Sequence, residues 1–205
     1  MKLGYQVLAA VTAALVAASA ALATPSGRST SNVWRFSDGS TVMGARSSVV
    51  RTNRGASFTI RTSDLAAGDA VTVWWVVFNN PEFCTAGEGD FRCGIGDLLP
   101  FGGDPRVDSS AFYAAGHVIG GSGMAGFGGH TTTGGPTGEV LWGPGLVNAR
   151  TADIHLVVRT HGPALVEFLP GQIRSFGVAC ANEPPELGGG GPNTCADVQF
   201  AVHEP

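Results

Sequence analysis

Residues 69–81 read Asp-Ala-Val-Thr-Val-Trp-Trp-Val-Val-Phe-Asn-Asn-Pro and form the most apolar stretch outside the N-terminal segment. β-Branched and aromatic side chains dominate this stretch, which is typical of a strand rather than a helix. Successive side chains of a strand point to opposite faces of the sheet, and both faces of this one are apolar. The stretch therefore predicts a central strand that is covered on both sides.

The N-terminal segment has the features of an export signal. Lys2 precedes an uncharged apolar run over residues 7–18, and Ala21-Leu22-Ala23 fits the small-residue pattern of a cleavage site. We expect residues 1–23 to form a helical signal peptide, residues 24–31 a flexible linker, and residues 32–205 a single domain. The predicted location is secreted or periplasmic, and no membrane span is expected after signal cleavage.

The composition is typical of a β protein with many turns. Charged residues make up only 14% of the chain, and 31 of its 205 residues are glycine. These values argue against a helical bundle and against a disordered chain. The 12 Lys and Arg residues are scattered, so no basic patch for nucleic acid is present. We expect the partner to be an extracellular ligand or surface component.

Alternating apolar residues and turn signals predict eight or nine strands. The clearest spans residues 56–62, with Phe58 and Ile60 predicted to face the core. A Gly-rich turn at residues 120–123 predicts a hairpin between the strands on either side of it. Besides the two hairpin strands, at 110–119 and 124–131, the other predicted strands are residues 32–36, 48–51, 69–78, 152–160, 172–180 and 196–203.

These elements predict an all-β fold in which two antiparallel sheets pack face to face as a sandwich, either immunoglobulin-like or jelly-roll-like. A barrel is the alternative. In the last strand we expect Val198, Phe200 and Val202 to face the core, and Gln199 and His203 to face solvent.

All four cysteines lie in the predicted exported part, so we expect two disulfides. The cysteines are Cys84, Cys93, Cys180 and Cys195. Three pairings are possible, and the sequence favours the two local ones, each of which closes a Gly-rich loop.

Histidines supply one candidate metal site. The chain has five, namely His117, His130, His155, His161 and His203. His155 and His161 lie on one predicted strand, and six residues of strand separate them by about 20 Å. A copper or zinc site would therefore join one of them to two other histidines. The alternative is that all five are separate, hydrogen-bonded or surface residues.

Acidic residues supply a second candidate. Asp90, Asp97 and Asp104 recur every seven residues, each after a glycine. Calcium prefers several oxygen ligands on a chain that can bend around it. A solvated loop without an ion is the alternative interpretation.

Three long connections, residues 79–108, 133–148 and 181–194, form the predicted binding surface because recognition usually resides in loops on a rigid scaffold. Aromatic side chains in these loops are candidates for stacking on a sugar or an apolar partner. They are Phe83, Phe91, Phe101 and Trp142. The alternative is that these rings only anchor their loops.

Two short stretches resemble known families. Residues 65–71 resemble the corner that leads into a central strand of fibronectin-type and immunoglobulin-like sandwiches. Pro170-Gly171-Gln172-Ile173-Arg174 is similar to the ending of CHRD domains, which are secreted β modules. The whole chain also resembles exported bacterial β-sandwich proteins. These resemblances imply a secreted sandwich and assign no functional residue.

The sequence predicts a secreted, non-catalytic β-sandwich module with a structural or a ligand- or surface-binding role. No nucleophile motif is present, because Met124 occupies the last glycine position of a Gly-x-Ser-x-Gly pattern. The alternative function is a small exported metalloprotein, possibly redox-active, with a histidine site. No cofactor is predicted from a motif, and copper, zinc or calcium are the candidate ions.

Overall fold

The computed structural model describes residues 27–205. The predicted signal peptide and residues 24–26 of the predicted linker lie outside the described residues. Residues 27–31 were expected to be flexible, and this prediction is wrong, because Gly27–Ser31 forms a strand paired with Arg46–Thr52. Its serines gave no apolar signal, yet Ser29 and Ser31 lie on the side of the strand that meets polar groups in the interior.

Ten strands are present in the described part of the chain, with one four-residue helix. The elements are β1 (Gly27–Ser31), β2 (Trp34–Arg35), β3 (Arg46–Thr52), β4 (Gly55–Thr62), β5 (Asp69–Phe78), β6 (Ser109–Val118), β7 (Ala125–Thr132), β8 (Val140–Trp142), β9 (Asp153–Pro163), α1 (Leu169–Gln172) and β10 (Ala196–His203).

The strands form two antiparallel sheets. The first sheet has the order β1-β3-β4-β7, and the second has the order β2-β10-β9-β5-β6-β8. The predicted all-β, two-sheet sandwich is confirmed, and over residues 27–205 the sheets do not close into a barrel.

The main core lies between the sheets, and β5 is its centre. Val71, Val73 and Trp75 of β5 are buried there. The indole of Trp75 meets the ring of Phe58 from β4 edge-on, with centroids 4.9 Å apart. Such pairs add to the free energy gained by burying the rings.

The other face of β5 is covered by two disulfide-bonded loops, so the prediction of a strand covered on both sides is confirmed. At one end, Phe78 packs with residues of the loop 79–108, including Cys93 and Val107. At the other, Trp74 packs edge-on against Phe176, at 5.3 Å, in the loop between β9 and β10. Both faces of β5 are apolar because both are interior.

The predicted hairpin is wrong, since β6 and β7 belong to different sheets. β6 pairs with β5, and β7 pairs with β4. The connection between them bonds to residues 65–69 instead of folding back on itself: Ile119 donates to the carbonyl of Asp69, and Leu65 donates to that of Gly123. The Gly-rich turn therefore carries the chain from one sheet to the other.

Two further strand predictions are wrong. Residues 172–180 are not a strand; α1 ends at Gln172 and an irregular segment follows. In β10 the predicted faces are reversed from Gln199 onwards, because the pairing with β9 shifts between Asp197 and Gln199, whereas Val198 packs against the main core as predicted. A bulge of this kind moves every later side chain to the opposite face. Gln199 and His203 are consequently buried, while Phe200 lies on the outer face beside Trp34.

Candidate functional site

The loop 79–108 is fixed by bonds within itself and by contacts with the second sheet, where it packs against Phe78 and the N–H of Leu99 donates to the hydroxyl of Ser109 at 2.9 Å. Cys84 and Cys93 form a disulfide with a Cα–Cα distance of 5.2 Å, as predicted. The buried carboxylate of Asp97 accepts hydrogen bonds from the backbone N–H groups of Thr85, Ala86 and Gly94 at 2.7–3.0 Å. Each bond from a backbone donor to a charged acceptor stabilises by about 1.5–3 kcal/mol. The loop is therefore a fixed part of the structure.

Glycine is required at several positions of this loop, and residue 94 is one of them. A Cβ atom on Gly94 would lie 2.1 Å from the carbonyl oxygen of Ala86. Only glycine permits so close an approach of two backbone segments.

This fixed loop exposes three large apolar side chains, which we call the apolar loop surface: Ile95, Leu99 and Phe101. They are 61%, 50% and 61% exposed. Ile95 lies in one single-turn 3-10 helix, and Leu99 and Phe101 lie in the next. Phe101 is one of the aromatic candidates predicted from the sequence. Ile95 and Leu99 were not predicted, because their apolar character resembles that of any loop-anchoring residue.

The other predicted aromatic candidates lie against the protein. Phe91 packs edge-on against Trp34 at 5.0 Å. The ring of Phe83 lies 4.6 Å from the guanidinium carbon of Arg106. Trp142 packs against the cluster around Phe78. Phe83 and Phe91 anchor the loop 79–108. Trp142 lies in strand β8, which interrupts the predicted loop 133–148, so that prediction is wrong in part. Phe101 alone of the four is largely exposed.

The predicted calcium ligands serve separate roles. Asp97 accepts the backbone hydrogen bonds within the loop that are described above. Asp104 accepts hydrogen bonds from the backbone N–H and the side chain of Arg106. Asp90 is exposed in a turn. Two groups of three metal-type side chains occur among residues 27–205, and neither contains more than one of these aspartates.

His161 is buried beside the second disulfide. Its Nε2 lies 2.9 Å from the hydroxyl of Thr72, which also accepts from the indole N–H of Trp74 at 2.8 Å. Cys180 and Cys195 lie next to its Nδ1 but are bonded to each other, as predicted. Burial, with Arg159 nearby, lowers the pKa of His161 to about 4. The ring is thus a neutral core residue.

His203 has a similar environment between the sheets. Its Nε2 lies 2.8 Å from the hydroxyl of Ser47, and its Nδ1 lies 3.1 Å from that of Ser29. Arg51 donates to the carbonyl oxygen of the same histidine. Burial and the charge of Arg51 lower the pKa of His203 to about 4. This ring is also held neutral at pH 7.

His117 and His130 contact other residues. His117 of β6 stacks on Phe127 with centroids 4.4 Å apart, and partial burial lowers its pKa. Nδ1 of His130 on β7 lies 2.9 Å from the hydroxyl of Ser57. Within the described part of the chain, no three histidines come together as metal ligands.

His155 lies beside a buried carboxylate, that of Asp153, which was not predicted from the sequence. Its Nε2 lies 3.4 Å from a carboxylate oxygen of Asp153, which is 0% exposed. The available signal was a carboxylate two residues before a histidine, at the start of a strand whose core face is apolar. Neither oxygen of Asp153 has a hydrogen-bond partner, and neither does Nε2 of His155.

Comparisons with known proteins add no match. No protein-family model matches the chain, and neither does any curated protein or solved structure. None of the helices within residues 27–205 is long and apolar enough to span a membrane.

Proposed function

We propose that this chain is an exported, non-catalytic binding module that contacts an extracellular partner through the apolar loop surface. The observation that carries the proposal is the exposure of Ile95, Leu99 and Phe101 on a loop that a disulfide and the Asp97 carboxylate hold in place. Exposed apolar side chains that cluster on one segment are typical of interaction sites.

The rigidity of the loop supports binding rather than chance exposure. A mobile loop loses conformational entropy when it binds, whereas a loop already fixed by covalent and hydrogen bonds loses little. Burying the exposed parts of the three side chains contributes about 3–5 kcal/mol in total. That amount is enough to change an affinity by at least about 100-fold.

Export is supported by the two disulfides together with the N-terminal signal pattern. Disulfides persist in oxidising compartments and are rare in the cytosol. We place the module outside the cytoplasm, secreted or periplasmic, where its partner is a surface component or a soluble ligand.

The test is binding of fluorescently labelled protein to washed cells of the producing organism. A variant with Ile95→Ser, Leu99→Ser and Phe101→Ser is expected to lose saturable binding while keeping the unfolding transition of the parent. The matched control replaces three exposed apolar residues elsewhere, Met43, Met124 and Val166, with serine. Equal binding by the loop variant and the parent, or equal loss in the control, would contradict the proposal.

A further inference from the structure

A second site lies beneath the loop 79–108, on the outer face of the second sheet. Asp153 and His155 occupy alternate positions at the start of β9, so their side chains share one face. The ring of His155 packs against Phe78 with centroids 4.9 Å apart, which fixes its orientation. The two residues therefore form a preorganised pair.

Both residues have buried polar atoms without a hydrogen-bond partner, which is rare in a protein interior. Asp153 is 0% exposed, and both of its carboxylate oxygens lack a hydrogen-bond partner. An unpaired buried charge is strongly unfavourable, so buried carboxylates either pair with a cation or coordinate a metal. Nε2 of His155, which also lacks a partner, is the nearest candidate.

Arg51 is close enough for the charge of Asp153 to act on its guanidinium, but neither oxygen of that carboxylate accepts a hydrogen bond from it. The buried guanidinium of Arg51 donates to the hydroxyl of Ser29 and to the carbonyl oxygens of Ala152 and His203. Among the described residues, His155 is the one cationic-type side chain within 4.0 Å of Asp153. The charge of Asp153 is thus left open to a ligand on the side of His155.

We propose that Asp153 and His155 together bind a divalent transition-metal ion of the zinc class. Imidazole nitrogen and carboxylate oxygen are the ligands that such ions accept. Two ligand atoms about 2.1 Å from an ion at the tetrahedral angle lie about 3.4 Å apart. The Oδ1 atom of Asp153 and the Nε2 atom of His155 are 3.4 Å apart.

The site also has a route to solvent. The side chain of His155 is 12% exposed, whereas that of Asp153 is fully buried. Two protein ligands leave further coordination positions, which water occupies on the exposed side of the histidine. Calcium and magnesium are disfavoured because they prefer oxygen ligands throughout.

The experiment uses the full disulfide-bonded protein, purified without a histidine tag and freed of metal with a chelator. Zinc is titrated by calorimetry, and cobalt is titrated by the visible absorption that it shows in a low-symmetry nitrogen–oxygen site. The parent is expected to bind one ion saturably, and both Asp153→Asn and His155→Gln are expected to lose this binding. Calcium is expected to produce no saturable signal.

The matched control is His130→Gln, which removes a histidine from the other sheet and is expected to bind zinc like the parent. If Asp153→Asn fails to fold, the cobalt spectrum of the parent and the folded His155→Gln variant still decide the matter. No saturable zinc binding by the folded parent would overturn the site. Unchanged binding in His155→Gln, or equal loss in His130→Gln, would overturn it as well. Because neither readout involves a partner, the outcome is independent of the proposed binding function.

Discussion

At the scale of single residues, the histidines show how strongly the environment decides a role. The sequence made all five candidates for a metal site, with either His155 or His161 joined by two of the others. The structure makes His161 and His203 neutral interior residues and leaves His155 beside an unpaired carboxylate. Sequence pattern could not separate them, because a strand position shows which face a side chain takes but not what the opposite layer places against it.

Stability is expected to depend on pH through His161 and His203. In the unfolded chain both have a pKa near 6.5, and in the folded protein each has a pKa of about 4. Between these values the unfolded chain binds more protons, so the stabilisation is complete above pH 6.5 and is lost as the pH falls towards 4. Each histidine contributes about 3 kcal/mol to this change.

Guanidinium unfolding of the metal-free protein between pH 7 and pH 4.5 measures the effect. The free energy of unfolding is expected to fall across this range, and the fall is expected to be smaller in His161→Gln and in His203→Gln. The exposed-site variant His130→Gln serves as the control. A parent whose stability is the same at both ends of the range would show that these rings are not held neutral.

At the scale of elements, the sequence predicted strands well and their partners poorly. The alternation in β4 and the doubly apolar β5 were sufficient, because a period of two and two buried faces are local properties. The assignment of β6 and β7 to different sheets depends on contacts with residues 65–69, which are far away in sequence. The reversed faces of β10 follow from a bulge that leaves no apolar pattern of its own.

The loop 79–108 is expected to depend on its disulfide more than the sheets do. Replacing Cys84 and Cys93 together with serine removes a short cross-link that contributes about 2–3 kcal/mol on the chain-entropy model. Hydrogen exchange is expected to accelerate at the amides of Thr85 and Ala86, which bond to Asp97, and to change little in β5. Equal acceleration in β5 would mean that the loop and the sheet unfold as one unit.

At the scale of the whole molecule, the outer face of the six-stranded sheet is the one that carries the candidate sites. This outer face is covered by two disulfide-bonded loops. One of them, the loop 79–108, carries the apolar loop surface and lies over the Asp153–His155 pair of β9. Length, composition and cysteine spacing predicted the sandwich and its disulfides. The candidate sites could not be predicted from the sequence, because its pattern does not show which loop side chains are exposed or which buried polar atoms lack a hydrogen-bond partner.

We expect the loop 79–108 to be the surface through which this protein contacts its partner. Replacing Phe101 with a photoreactive phenylalanine analogue, and irradiating the protein on cells of the producing organism, tests it most directly. The same analogue at Val166, which is 92% exposed and lies outside the loop, is the control. If the loop binds the partner, the analogue at position 101 is expected to give a discrete covalent adduct, and the analogue at position 166 is expected to give none. No adduct from position 101, or the same adduct from both positions, would contradict it.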